Sequence, residues 1–152
     1  SKAFALPDLK LGWIALNDCA MQRFGTRLEF LNDTFLGCSL WVQAALPAIL
    51  TEGAAFAAAL RDHALWAAER CAARLAAAGG FDVEVPQGGA ALFPAVKGDP
   101  DEEQFALQLI ERGALVHPGF FFGAAGRSRF MISLLLSRDR LEAGLDLICA
   151  GA

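Results

Sequence analysis

The 152-residue sequence is long enough for one domain with its own core, and 55% of its residues are hydrophobic while 20% are charged. This composition excludes an intrinsically disordered chain. The net charge of −4, with lysines and arginines scattered along the chain, argues against a nucleic-acid-binding protein, because such proteins present clustered basic side chains. No apolar run reaches the length of a membrane span.

The cysteines and the first residues indicate where the protein resides. Four cysteines lie far apart without a CxxC pair, which favours buried thiols in a reducing cytoplasm over disulfides or a metal site. The sequence opens on Ser1-Lys2-Ala3-Phe4, with no initiator methionine and no signal peptide. We therefore expect a cytoplasmic chain that is a piece of a longer protein.

The first half of the chain predicts one strand followed by three helices. The apolar run over residues 9–16 predicts a buried strand. Helical spacing of apolar residues predicts helices over residues 21–35 and 40–50, with a kink or boundary near Pro47. The alanine-rich stretch over residues 52–78 predicts the longest helix, which Gly79 and Gly80 end.

The second half predicts a small sheet with helices. Alternation over residues 81–85, a turn, and an apolar run over residues 90–96 predict a hairpin. Asp99 as N-cap, Pro100 at the first helical position and Glu102 three residues after the cap form a capping box. Strands over residues 114–116 and 130–136 and a final helix after Ser137 follow. This order of elements predicts an α+β unit with a small antiparallel or mixed sheet.

Two lysines near the start are candidates for binding an anion. Lys2 alone would ordinarily be a solvated side chain, but Lys10 begins an apolar strand, where an ammonium group needs an anionic partner. Phosphate is one such anion.

Residues 1–12 resemble the lysine signature of class I and II aminotransferases. In that family a lysine follows a small residue, and a basic residue, an apolar residue and glycine come eight positions later. The resemblance gives Lys2 the position of the Schiff-base lysine and Lys10 that of an arginine that binds the phosphate of pyridoxal 5'-phosphate. Ser1, Lys2 and Lys10 are therefore the implied cofactor-binding residues, with Lys2 catalytic. Lys10 keeps the positive charge of that arginine but not its bidentate fork.

The resemblance continues along the whole chain. Five short segments resemble parts of the family, in the family's order. Residues 32–36 and 42–47 resemble its crossing into the small domain, and residues 86–89 resemble its PxGG turn. Residues 105–119 resemble its helix and strand ending in HPG, and residues 133–135 resemble the end of its RISL strand. Five such segments in the right order are more specific than any one of them.

The family's substrate-carboxylate arginine is replaced in this sequence. That arginine usually precedes the Ile-Ser pair, where this chain has Met131, which cannot bind a carboxylate. Our hypothesis is that Arg129, on the same face of the strand, or Arg127, in the preceding loop, binds the carboxylate instead. The alternative is that both are solvated charges. His117 is a further candidate for substrate contact.

The resemblance implies a fold and a function. The fold would be the small domain of a fold-type I pyridoxal-phosphate enzyme, with residues 1–17 ending the large cofactor domain, 18–50 forming interdomain helices and 51–152 forming the small domain. The full-length protein would be a homodimeric transaminase acting on an amino acid and a 2-oxo acid. The isolated chain would be inactive, because the family's groups around the pyridine ring lie upstream of the lysine.

Two other functions remain open at this point. One is the aminotransferase-like sensor domain of a bacterial transcription regulator, a role that would suit the loss of the carboxylate arginine. The other is a lyase or acyl transferase of the same fold. A third possibility is that the chain is only a stable small domain without activity.

Overall fold

A computed structural model describes residues 3–124 and 126–150. The chain forms two compact units, Ser1–Ala59 and Leu60–Ala152. Within the described residues, no single helix is both long and apolar enough to cross a membrane, although two consecutive helices joined at a bend reach that length and composition together.

Two helices dominate the first unit. Helix α1 spans Asp18–Thr34 and is capped by Asn17, whose side chain accepts a hydrogen bond of 2.9 Å from the Ala20 N–H. Helix α2 spans Leu40–Glu52. Both helices confirm the prediction from apolar spacing, but α2 continues through Pro47, so the boundary expected there is absent.

The strand predicted over residues 9–16 is wrong. Residues 10–17 have no regular secondary structure, and Trp13 and Ile14 are 71% and 70% exposed. A strand requires a neighbour for its backbone N–H and C=O groups. None of the strands in the described residues pairs with this segment, so the apolar run remains irregular.

The described residues of the second unit form three α-helices and five short strands. The helices are α3 (Ala54–Ala78), which begins in the first unit, α4 (Glu102–Glu111) and α5 (Arg138–Cys149). Gly79, at φ +83°, ends α3 in the left-handed conformation that glycine favours. The strands are β1 (Phe81–Asp82), β2 (Ala91–Leu92), β3 (Ala95–Val96), β4 (His117–Pro118) and β5 (Phe130–Ser133).

Over residues 3–124 and 126–150 the strands form two antiparallel sheets. One contains β1 and β3, and the other has the order β2-β5-β4. The hairpin predicted from residues 81–85 and 90–96 is therefore correct only in part, since the second segment is divided at Pro94 between the two sheets. Proline has no N–H to donate, and the Pro94 carbonyl accepts from the Phe130 N–H at 3.3 Å.

Two further boundaries differ from the prediction. Asp101, not Asp99, caps α4 and accepts from the Gln104 N–H at 2.9 Å, while Asp99 has a φ of +47° and bonds to the Ser128 N–H. The short strand expected over residues 114–116 forms instead at His117 and Pro118.

The core of the second unit confirms the predicted fold class. Phe130 is completely buried, and its ring centroid lies 5.7 Å from that of Phe81 and 5.3 Å from that of Phe105. Helix α5 contributes the inward-facing residues expected of it, which are Leu141, Leu145 and Ile148. The unit is an α+β structure with helices packed on small antiparallel sheets.

The prediction that the cysteines are buried is fully correct only for Cys71. Cys71 is buried and Cys149 half-buried, whereas Cys19 and Cys38 are exposed, and all four are free thiols. In the first unit only Val42 is buried among the described residues, so little core is available there to cover a thiol.

Candidate functional site

Strand β5 presents one face to the core and the other to the candidate site. Phe130 and Ile132 are buried, while Arg129, Met131 and Ser133 alternate with them and are half-buried. Arg129 and Met131 therefore lie on the same face, as the sequence predicted. His117 of β4 is the antiparallel partner of Met131, and partners in this arrangement are neighbours on one face.

Aromatic rings extend this surface. The Phe122 ring contacts that of Phe93 edge-on at 5.7 Å between centroids, and the His117 ring lies 6.1 Å from Phe121 and 6.4 Å from Phe122. Phe120, Phe121 and Phe122 form a 3₁₀ turn and are 50%, 64% and 57% exposed. They therefore line the surface and do not belong to the core.

The guanidinium group of Arg129 is held by Phe93 and has no anionic partner among the described residues. Its Nη1 donates to the Phe93 carbonyl at 3.0 Å, and its guanidinium carbon lies 5.9 Å from the Phe93 ring centroid. Within residues 3–124 and 126–150, no carboxylate lies within ion-pairing distance of it. A guanidinium has five N–H donors, so donors remain for a carboxylate ligand.

Arg127, unlike Arg129, forms ion pairs with carboxylates. It pairs with Asp82 at 2.8 Å and with Asp99 at 3.6 Å. The hydrogen bond from Arg127 lowers the pKa of the Asp82 carboxyl group below its usual value, and Lys97 acts in the same direction. Of the two arginines proposed from the sequence, Arg129 is the one whose guanidinium pairs with no carboxylate of the described residues.

Glu102 ties two parts of this surface together. Its carboxylate accepts the Phe120 N–H at 2.8 Å and the Arg129 N–H at 2.7 Å. The sequence predicted only a local capping role for Glu102, because bonds between residues 18 and 27 positions apart leave no periodic pattern. Phe93 was likewise assigned only to a strand, and no pattern indicated its contact with Arg129.

The cofactor-binding residues expected from the sequence belong to the first unit. Ser1 and Lys2 lie outside the described residues. Lys10 is exposed, and in the part of the chain that the structure describes no carboxylate pairs with it. The ammonium group of Lys10 can therefore bind a phosphate group through its single positive charge.

A mainly apolar groove of about 580 Å³ lies beside the candidate site. It runs between helix α5 and the β4–β5 pair, and His117, Met131 and Ser133 are among its lining residues. Arg140 is the charged side chain in its lining. Its volume is within the range of small-molecule sites, and it makes His117 a residue shared by the groove and the aromatic surface.

A family model and two curated relatives match this chain. The family model described as aminotransferase class I and II matches residues 1–148. Capreomycidine synthase of Streptomyces vinaceus is 31% identical over 154 residues, which cover 97% of this chain and 37% of that protein. LL-diaminopimelate aminotransferase of Natranaerobius thermophilus is 34% identical over 71 residues, 46% of this chain and 18% of that protein.

Solved structures share the fold. A mutant of Thermus thermophilus aspartate aminotransferase superimposes with a TM-score of 0.84 at 21% identity, covering 100% of this chain and 39% of that one. The aromatic aminotransferase of Pyrococcus horikoshii gives 0.83 at 22% identity, covering 99% and 40%. The chain thus spans about two fifths of the length of these structures. By its sequence it belongs to the class I and II aminotransferases, and its fold is that of the corresponding part of fold-type I enzymes.

Proposed function

We propose that the whole protein is a pyridoxal-phosphate-dependent transaminase that moves an amino group between an amino acid and a 2-oxo acid. Family membership supports the class of reaction. The observation that carries the substrate assignment is Arg129, a half-buried guanidinium held by the Phe93 carbonyl at 3.0 Å with donors left for an anion. Amino acids and 2-oxo acids share the carboxylate that such a donor set binds.

Arg129 would replace the arginine that the family has at the position of Met131. Arg129, the residue just before β5, lies on the same face as Met131, so a carboxylate bound by Arg129 would be displaced by two residues along the direction of the strand. Antiparallel strands rise about 3.4 Å per residue, and the long arginine side chain can span that displacement. The guanidinium would orient the substrate through paired N–H donors.

Lys2 and Lys10 are the residues proposed to hold the cofactor. Pyridoxal phosphate, when bound, supplies an electron sink for the bond-making and bond-breaking at the substrate Cα. Lys10 would bind its phosphate, and Lys2 would attach it covalently and then carry the proton to and from the substrate Cα. The family match and the aminotransferase relatives favour this reaction over the sensor-domain, lyase and acyl-transferase alternatives.

The 3₁₀ turn that contains Phe120, Phe121 and Phe122, the aromatic turn, would receive the side chain of the substrate. Phe93, Phe121 and Phe122 offer ring faces and edges, and His117 is the polar group beside them. Among the described residues, no carboxylate takes part in these ring contacts, so we propose apolar or aromatic amino acids as the substrate class. We also propose the domain division at residues 17 and 50, and a homodimeric whole protein, as the family resemblance implies.

The test is substitution of Arg129 in the full-length protein. We expect Arg129→Ala to raise the KM for the amino acid by roughly 10- to 100-fold, the scale of losing a hydrogen bond between charged groups, while Arg129→Lys loses less. Steady-state transamination with apolar and aromatic amino acids measures this. Arg127→Ala is the matched control, because Arg127 is already paired with Asp82 and Asp99. An unchanged KM in Arg129→Ala would reject the assignment.

A further inference from the structure

We propose that Glu102 is a positioning residue, which fixes Arg129 and the aromatic turn relative to each other. The proposal rests on the proposed function, since it assigns Arg129 and the turn to substrate binding. One Glu102 oxygen, Oε2, accepts the Phe120 N–H at 2.8 Å, and the other, Oε1, accepts the Arg129 N–H at 2.7 Å. A single carboxylate thereby joins the turn to the residue just before β5.

Glu102 is free for this role because α4 is capped by another residue. Asp101 accepts the Gln104 N–H at 2.9 Å and satisfies one of the free donors at the helix start. The carboxylate of Glu102 points instead to two backbone groups 18 and 27 residues away. In the capping box predicted from the sequence, Glu102 would instead have accepted the backbone N–H of Asp99.

The same contacts close the loop between the turn and the strand. The Gly119 N–H donates to the Arg129 carbonyl at 2.7 Å, so both ends of the loop meet beside Glu102. A Cβ at Gly119 would lie 2.8 Å from Glu102 Oε1 and 3.1 Å from both the Arg129 Cβ and its carbonyl oxygen. The close approach of the two segments thus requires glycine at this position.

Accepting both backbone N–H groups at once requires a carboxylate at position 102. Both partners are N–H donors, and an ionised carboxylate is an acceptor at both oxygens. A glutamine side chain has only one acceptor oxygen, and its NH₂ group would face one of the two N–H groups. Glu102→Gln therefore keeps the size of the side chain and removes one of the two bonds.

The first measurement is amide hydrogen exchange in the full-length protein. In Glu102→Gln we expect the Phe120 or Arg129 amide, or both, to exchange roughly tenfold faster, the scale of one hydrogen bond to a charged group. Glu103→Gln is the matched control, since it removes the same charge at the same helix end and Glu103 has no partner among the described residues. Unchanged exchange at both amides in Glu102→Gln would overturn the proposal.

The second measurement separates positioning from general stability. We expect Glu102→Gln to raise the KM for the amino acid severalfold, with kcat changed by less than about twofold, because the residue acts through Arg129 and not on the reacting atoms. A fall in kcat at unchanged KM, or the same KM change in Glu103→Gln, would overturn a positioning role.

Gly119→Ala supplies an independent route if Glu102→Gln does not fold. Its Cβ displaces the carboxylate without removing it, so it should reproduce both effects. Where Glu102→Gln does fold, the double variant should show less than the sum of the two single effects. Additive effects would overturn the shared mechanism. Hydrogen exchange needs no enzymatic activity, so a wild-type protein that lacks transaminase activity would reject the proposed function while the exchange data still decide whether Glu102 holds the two segments.

Discussion

Cys71 lies inside α3 with no exposed surface. Burial raises the pKa of its thiol to about 11 from an ordinary value of 9.0, because the thiolate would lose its hydration. Glu142 and Cys149 act in the same direction, and Arg70 opposes them. Cys71 should therefore stay protonated and unreactive in the folded chain, in contrast to the exposed Cys19 and Cys38.

This shift makes stability depend on alkaline pH. The unfolded chain loses the Cys71 proton near pH 9.0, whereas the folded chain retains it to about pH 11. Because the folded state binds the proton more tightly, the contribution of the Cys71 thiol to the free energy of unfolding is complete below pH 9.0. It is lost as the pH rises to about 11, which lowers the free energy of unfolding by about 2–3 kcal/mol.

Urea unfolding of the chain and of Cys71→Ala, compared across this pH range, tests the shift. The variant is less stable at neutral pH, because it leaves a small cavity, but its stability should fall less steeply with pH. Equal slopes in the two proteins would show that Cys71 does not titrate between these limits.

At the scale of elements, α3 and α5 are joined along one exposed edge. Arg70 pairs with Glu142 at 2.5 Å, and Arg74 bridges Glu142 at 2.8 Å and Asp146 at 2.5 Å. The hydrogen bond from Arg70 is the largest cause that lowers the pKa of the Glu142 carboxyl group below its usual value of 4.5, and the charge of Arg74 adds to it. Four charges in one network contribute more to the stability of the fold than an isolated surface ion pair does.

Glu142→Gln should lower the midpoint of thermal unfolding by a few degrees at most, because the side chains of this network are 27–68% exposed and water screens their charges. The ion-paired carboxylate stabilises the fold above pH 4.5, and this contribution is lost as the pH falls through the lowered pKa of Glu142. The difference between variant and wild type should therefore shrink in acid and at high salt. Glu69→Gln, an exposed carboxylate of α3 without a partner among the described residues, is the control; an equal loss in both would contradict the network's role.

Sequence periodicity predicted the helices better than the strands. An amphipathic helix satisfies its backbone internally, so the spacing in α1 and α5 was sufficient to find them. Strands depend on partners elsewhere in the chain, and two-residue strands such as β4 carry no period at all. The division at Pro94 and the irregular residues 10–17 both follow from pairing that local pattern does not encode.

The local sequence pattern likewise predicts part of the candidate site but not its long-range contacts. Alternation on a strand was enough to put Arg129 and Met131 on one face. The bonds from Glu102 to Phe120 and Arg129, and the contact of Phe93 with Arg129, depend on tertiary packing between segments distant in sequence.

At the scale of the whole molecule, the two units differ in how much core they contain. The buried apolar cluster of the chain lies entirely between residues 64 and 148. In the first unit, large apolar side chains are exposed, among them Trp13 at 71%, Phe35 at 76% and Trp41 at 87%. Such exposed apolar surface is typical of a region that contacts further protein.

This difference predicts that residues 54–150 fold on their own. Trp66 is then the only tryptophan, and it reports on α5 packing, because the Arg138 guanidinium lies 4.3 Å from its ring centroid. Its fluorescence should show one cooperative urea transition, and Phe130→Ala should lower the free energy of unfolding by about 3–5 kcal/mol. Residues 3–53, with Val42 as their only buried residue among those described, should show no cooperative transition. A cooperative transition in residues 3–53, or none in residues 54–150, would mean that burial within each unit does not determine its stability.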